Sequence, residues 1–426
     1  MKKMYFLIVF FIFSVAFSQS LTENPCGTAE NMKEIYQNNP AAKIEADNFE
    51  LFTKQYVENK NKRPRVNNCY VIPTVFHIYG TTQSGRTVND ALIINAINKL
   101  NDDLNALNDD YATVHNTFLN VRGSLPDLKV ALAKLDPAGA TTTGIVYHPV
   151  AAGFARGSGY DNLIAADAWN NYKYMNVYIM NDLKNDGVLT NSGVAYYPNS
   201  TMSNNSTARI VYNGAYLGTN TNAEFASVFT HEFGHWMNLI HTFEGGCTLP
   251  NDHVADTPLC NFNGAAYTCH PTAAANSPVN CNNELINAEN YMDYSGSDGC
   301  NKMFTMGQVA RVNAALNHPA RTTLWQYSNL VATGLQQLCP NLMQSNFDKK
   351  EIAFQIFPNP TSSNIVIKLA KFYQNLEYTL VNQLGMVVLK GKLTNENTTI
   401  NLDKLLNGIY FINIEGIAEA KKIIKM

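Results

Sequence analysis

Residues 231–241 read His-Glu-Phe-Gly-His-Trp-Met-Asn-Leu-Ile-His, which sets three imidazoles beside one carboxylate. On a helix, side chains four apart share a face, with Cβ atoms roughly 5–6 Å apart. His231 and His235 can therefore both aim a ring nitrogen at one metal ion, about 2.0–2.1 Å away if that ion is zinc. Glu232 lies one residue along and flanks the ion rather than ligating it. A general base needs that position to take a proton from a metal-activated water. His241 is too far along for the same helix to present it, so the chain must bend after His235. Asn238 is placed to allow the bend, because after Gly it is Asn that best tolerates a left-handed backbone. The bland alternative is an amphipathic helix with clustered histidines. His-Glu-x-x-His arises by chance on the order of once in a hundred chains of this length, and the third histidine makes accident a poor account.

Downstream stands Asn290-Tyr291-Met292-Asp293-Tyr294-Ser295. A methionine here can form a soft apolar floor beneath the ligands. Tyr294, two residues on, can donate its hydroxyl to a developing oxyanion. The enzymatic rival is a zinc site that takes Glu284 or Glu289 as third ligand. The rival from another class is a surface adhesin or binding protein with a catalytically inert zinc helix.

At this point the chain resembles a pappalysin-family metzincin. The resemblance rests on the zinc string itself, Thr242-Phe243, Gly246-Cys247, Val254-Ala-Asp256-Thr257-Pro258 and Asn290-Tyr-Met292-Asp293-Tyr294. Gly193-Val-Ala-Tyr-Tyr-Pro198 and Met303-Phe304-Thr305 with Gln308 and Arg311 add to it. It implies a secreted zinc endopeptidase that hydrolyses internal peptide bonds of proteins. His231, His235 and His241 would be the zinc ligands, Glu232 the base, Met292 the Met-turn residue and Tyr294 a supplementary donor. Asn238 departs from the glycine usual at the bend. The family also binds calcium in the loop after the third histidine. Here that loop offers Asp252 and Asp256 among backbone carbonyls, a donor set suited to a hard cation. The same resemblance suggests disulfides Cys247–Cys281 and Cys269–Cys300, and leaves Cys69, Cys260 and Cys339 without assigned partners. In related zymogens a pro-segment cysteine fills the open coordination position; Cys26 is the candidate for this latency role. Its alternative is a disulfide, for instance to Cys69. An acidic residue near the Met-turn, Asp293 or Asp298, would favour a basic residue after the cleaved bond.

The chain ends carry addresses. Residues 1–19 combine a basic start, an apolar run and small polar residues, which reads as a secretory signal. All 8 cysteines lie beyond it, which fits an oxidising compartment. Residues 20–65 form a polar pro-segment with short helices, closed by the basic stretch 60–65 as a proteolysable boundary. Residues 350–426 open on Phe357-Pro-Asn-Pro-Thr361 and end on Ala420-Lys-Lys-Ile-Ile-Lys-Met426. They resemble the C-terminal sorting domain of the type IX secretion system. That implies dealings with its machinery and export across the outer membrane of a Gram-negative bacterium, either released or surface-attached. The net charge of −3, with 15% charged residues, offers no basic tract for nucleic acid and no basic amphipathic helix for lipid. No segment after the signal is long and apolar enough to span a membrane.

The elements that must position the site follow from periodicity. Thr221-x-x-Glu224 reads as a capping box that starts the zinc helix, with Phe225, Val228 and Phe229 as its buried face. Residues 69–79, 128–135, 176–179 and 208–212 read as strands of a twisted sheet behind that helix. Residues 88–107 read as a covering helix, and 306–315 as the last helix of a catalytic domain spanning 66–340. His77, His148 and His318 read as satisfied core or surface histidines, and Trp236 as packing. Short strands over 364–369, 378–389 and 408–414 imply a small β-sandwich. The expected fold class is α+β, a metzincin-type zincin domain followed by an all-β sandwich.

Overall fold

Ten consecutive buried residues, Tyr70–Tyr79, form the central strand β1. A strand buried on both faces reads as a continuous apolar run, and this one belongs to a largely parallel sheet. The computed structural model describes residues 26–58, 69–156, 158–222, 225–261, 279–294, 301–340, 354–369, 376–383, 387–414 and 420–426. The signal segment, the basic stretch 60–65, Glu224, Cys269, Asp298 and Cys300 lie outside them.

Two helices precede β1, α1 (Thr28–Asn38) and α2 (Pro40–Glu58). After a small hairpin, β2 (Thr82–Gln83) and β3 (Arg86–Thr87), comes α3 (Asp90–Asn105), whose Asn89 cap accepts from the Leu92 amide. β4 (Arg122–Gly123), β5 (Leu128–Leu132), β6 (Ile145–His148), α4 (Asp161–Asp167) and β7 (Met175–Ile179) follow. Then come β8 (Gly193–Ala195), α5 (Ser200–Asn204), β9 (Ile210–Tyr212) and α6 (Val228–Trp236). β10 (Phe304–Thr305), α7 (Met306–Ala315) and α8 (Tyr327–Ala332) complete this part.

The main sheet runs β5-β1-β7-β9-β8, with β6 also paired to β1. Every pairing is parallel except β8 with β9. The antiparallel strand thus lies at the sheet edge. Neither it nor β6 stands out by periodicity, because runs of three or four residues are too short. α3 and α6 share one face of the sheet in a core that includes Ile72, Phe76, Leu100, Val177, Phe229, Trp236 and Met292. Thr230 on α6 donates to the buried Asp103 on α3, 2.6 Å away, and Lys99 neutralises that carboxylate at 2.6 Å.

The helix start differs from the expected capping box. α6 begins at Val228, preceded by a 3-10 turn at Phe225–Ser227. Asn222 accepts from the Phe225 amide at 2.7 Å, and its own carbonyl accepts from Ala226. Thr221 instead ends a preceding 3-10 turn. Asn is as good a cap as Thr, and the competing turn takes Thr221 out of play.

Cys69 pairs with Cys339 across 270 residues, which excludes a Cys26–Cys69 bridge. Cys247 pairs with Cys281, while Cys26 and Cys260 are free and buried.

The C-terminal residues form a separate all-β unit. β11 (Phe354–Phe357), β12 (Asn364–Leu369) and β15 (Asn397–Asn401) make one sheet in the order β11-β12-β15. β13 (Glu377–Asn382), β14 (Val387–Lys392), β16 (Gly408–Ile414) and β17 (Lys421–Lys425) make the other, in the order β14-β13-β16-β17. Ile365, Ile367, Leu380, Ile400, Ile412 and Ile423 fill its core. The run 378–389 is two antiparallel arms rather than one strand.

Candidate zinc-peptidase site

α6 presents His231 and His235 on one face, and the chain turns directly after it. Asn238 sits at φ 67°, the left-handed conformation the bend requires. His241 then returns, so that His235 Nε2 lies 2.9 Å from His231 Nε2 and 3.0 Å from His241 Nε2.

Their other nitrogens fix the protonation of the first two rings. His231 Nδ1 faces the Tyr291 carbonyl at 2.7 Å, and His235 Nδ1 faces the Leu239 carbonyl at 2.8 Å. A carbonyl only accepts, so each Nδ1 carries the hydrogen and each neutral ring turns its Nε2 lone pair inward. Burial holds His231 down to about 4, and with the neighbouring rings it drives His235 and His241 well below the ordinary histidine value. Lone pairs converging at such distances repel unless a cation lies between them, and nitrogen ligands of this number and neutrality fit zinc.

The Cys26 thiol joins the three imidazoles; the four ligand atoms all lie within 4.8 Å of one another. Cys26 also bridges Gly193 in parallel, so the segment enters the site along the outer edge of β8. Its Sγ lies 3.8 Å from Glu232 Oε2 and 3.2 Å from Thr28 Oγ1. Glu232 is fully buried, and desolvation pushes it up to about 8 against the pull of Cys26 and the Ala195 amide. Tyr294 places its hydroxyl 3.0 Å from His241 Nε2 and donates to the Cys26 carbonyl at 3.1 Å.

Glu289 is elsewhere, paired with Lys302 at 2.9 Å and accepting from the His115 amide. Glu284 accepts from Asn280. Neither approaches the histidines as a third ligand. Asp293 is buried and accepts from Thr242 Oγ1, so its carboxylate turns into the loop. The two carboxylates of the 251–257 loop serve different partners. Asp252 accepts from the Val254 amide and from Thr257 Oγ1. Asp256 instead accepts from Thr305 Oγ1 at 2.6 Å and the Gly307 amide at 2.8 Å, at the start of α7. It is a helix-terminus carboxylate there.

Two glycines matter that ligand spacing alone does not single out. A Cβ on Gly193 would meet Glu232 Cγ at 2.7 Å, and one on Gly234 would meet Met292 Sδ at 2.4 Å. His77 faces His148 and Asn176 at 3.0 Å each, far from the zinc ligands in sequence and bonded within the sheet. Trp236 is buried beneath the Arg321 guanidinium, 3.8 Å from its ring centre.

A mixed sheet with one antiparallel edge strand, a two-histidine helix, a left-handed bend to a third histidine and a methionine floor together define the metzincin class of zincins. The comparisons narrow this. Residues 158–317 match the peptidase M43 family, described as pregnancy-associated plasma protein-A, and residues 355–426 match the secretion system C-terminal sorting domain. Residues 158–317 are thus similar to the pappalysin-type peptidase domain, and residues 355–426 to the sorting domain. An extracellular metalloprotease of Sordaria macrospora is 38% identical over 151 residues, covering 34% of this chain and 49% of its own. One of Podospora anserina is 37% identical over 149 residues, covering 34% and 47%. The chain thus spans about half the length of these relatives. A Glu-to-Ala mutant of Tannerella forsythia promirolysin superposes with a TM-score of 0.55 at 27% identity, covering 71% of this chain and 98% of that one. Mature mirolysin with a cleaved peptide gives 0.50 at 27%, covering 62% and 98%. The sorting domain and the extracellular relatives indicate secretion or surface export. No helix among the described residues is long and apolar enough to cross a membrane.

Proposed function

We propose that this protein is a secreted zinc-dependent endopeptidase, held latent in the full chain by Cys26. The observation that carries the reading is the convergence of three imidazole nitrogens and one thiol beside the buried Glu232. His231, His235 and His241 would hold the ion, which when bound supplies Lewis acidity to a water and to the scissile carbonyl. Glu232 takes the proton from the attacking water and later passes it to the leaving amine. Its free Oε1, buried and unpartnered, is available for that transfer. Tyr294 already donates to a backbone carbonyl beside the ligands and would turn the same hydroxyl to the substrate's oxyanion.

Cys26 would hold the ion as a fourth ligand, and its departure with segment 26–58 would free that place. Promirolysin covers a larger share of the chain than mature mirolysin does, which supports reading that segment as removable. A calcium ion in the 251–257 loop would use Asp252, where the Val254 carbonyl and Thr257 hydroxyl lie close by, but not Asp256 as expected from sequence. Burial pushes Asp252 up to about 7, and a bound cation would reverse that. Residues 355–426 would deliver the chain to the type IX machinery and across a Gram-negative outer membrane. Protein substrates follow from the reaction. A basic preference after the cut rests on Asp298 alone, since Asp293 is engaged by Thr242.

Glu232→Ala in the mature protein tests the reading. Hydrolysis of a protein substrate should vanish while zinc content and melting temperature persist. Undiminished hydrolysis sinks it, and a wild type with bound zinc but no hydrolysis supports the adhesin instead.

A further inference from the structure

The segment before the catalytic domain touches the zinc motif at a second place. Glu50 of α2 accepts from Arg311 Nη1 at 2.8 Å and Nη2 at 2.7 Å, a bidentate charge-assisted pair. Its Oε1 also accepts from Asn238 Nδ2 at 3.1 Å. Arg311 Nη2 donates in turn to the Asn238 carbonyl at 3.1 Å. The four bonds close a ring through α2, α7 and the bend between the second and third imidazoles. With α2 in place, Arg311 is 3% exposed and Asn238 8%, so the ring of bonds is shielded from water.

We propose that Arg311 and Asn238 form a carboxylate-recognition site, filled by Glu50, that anchors segment 26–58 independently of Cys26. This rests on reading that segment as inhibitory. The site also gives the departure at the bend a purpose. Glycine would adopt φ 67° without strain, but only a side-chain amide reaches Glu50. Neighbouring contacts of α2 reinforce the anchor. Glu45 accepts from the Ser200 amide at 2.8 Å and faces His318 Nε2 at 3.3 Å, and Phe49 packs edge-on to His318. Burial works against the Glu50 carboxylate, yet Arg311 outweighs it and holds the group below its ordinary value. The pair therefore stays ionised at neutral pH. Cutting the chain after α2 would then not by itself release the inhibitory segment.

The test uses the full chain in a Glu232→Ala background, with residues 60–65 replaced by a specific protease recognition sequence. After cutting, gel filtration shows whether segment 26–58 travels with the rest. We expect it to stay bound in the parent. Glu50→Ala should speed its release at least about tenfold, and Glu50→Gln should fall between them. Equal release rates for parent and both variants would overturn the anchor. Because this readout needs no hydrolysis, it stands even if the peptidase reading fails. In the unprocessed, hydrolytically intact chain, Cys26→Ala should leave residual latency that Glu50→Ala then removes. Full activity from Cys26→Ala alone would also overturn it.

Discussion

The thioether of Met292 lies directly against the backbone of Gly234: a Cβ on that glycine would stand 2.4 Å from Sδ. Met292 is thus pressed onto α6 between His231 and His235, at a point where only glycine leaves room. Gly234→Ala should lower stability by about 1–3 kcal/mol through overpacking, despite alanine's better helix propensity. Adding Met292→Ala should recover part of the loss. A double-mutant cycle from thermal melts measures the coupling, and strict additivity would contradict the contact.

Tyr294 donates to the Cys26 carbonyl in this structure and to substrate in the proposed reaction. Tyr294→Phe in the mature enzyme should lower kcat by about a hundredfold with little change in KM, the signature of a donor used mainly in the transition state. An unchanged kcat would remove Tyr294 from the mechanism.

The Cys69–Cys339 bridge closes a loop of 270 residues over a cluster that includes Val71, Leu330 and Leu335. Replacing both cysteines with Ser should cost about 2–5 kcal/mol, mainly by freeing the unfolded chain. Chemical denaturation of the two forms measures this. A midpoint that does not move would show the bridge to be redundant.

His77 is buried in the sheet, with one ring nitrogen on Asn176 and the other on His148. Burial, aided by His148, holds it down to about 4. Its unfolded counterpart protonates near 6.5, so the unfolded chain takes up the proton first as pH falls. Stability from the neutral ring is complete above about 6.5 and declines as pH drops toward 4, by about 3 kcal/mol. His77→Gln should flatten the melting temperature against pH across that window.

Much of the site was legible because it is local. Helix geometry alone places His231, His235 and Glu232, and Asn238 is of a residue type that tolerates the positive φ found there. The helix 306–315, the strand 364–369 and the strand 408–414 fall at the residues their periodicity marks. The start of α6 was harder, because Thr221 and Asn222 are both competent caps and the preceding turn decides between them. Strand β8 was not legible, since three residues at a sheet edge carry no period.

By itself, then, the sequence determined the string of three histidines, the glutamate beside the first, the methionine downstream and the sorting module at the end. Each is written in spacing over a few turns or in a contiguous motif. Tertiary structure alone decided that Cys69 joins Cys339, that Cys26 lies free over the histidines, that Asp256 turns to α7 and that Glu50 grips Arg311. These partners stand dozens to hundreds of residues apart. What brings them together is the packing of helices onto a common sheet, which no local spacing encodes.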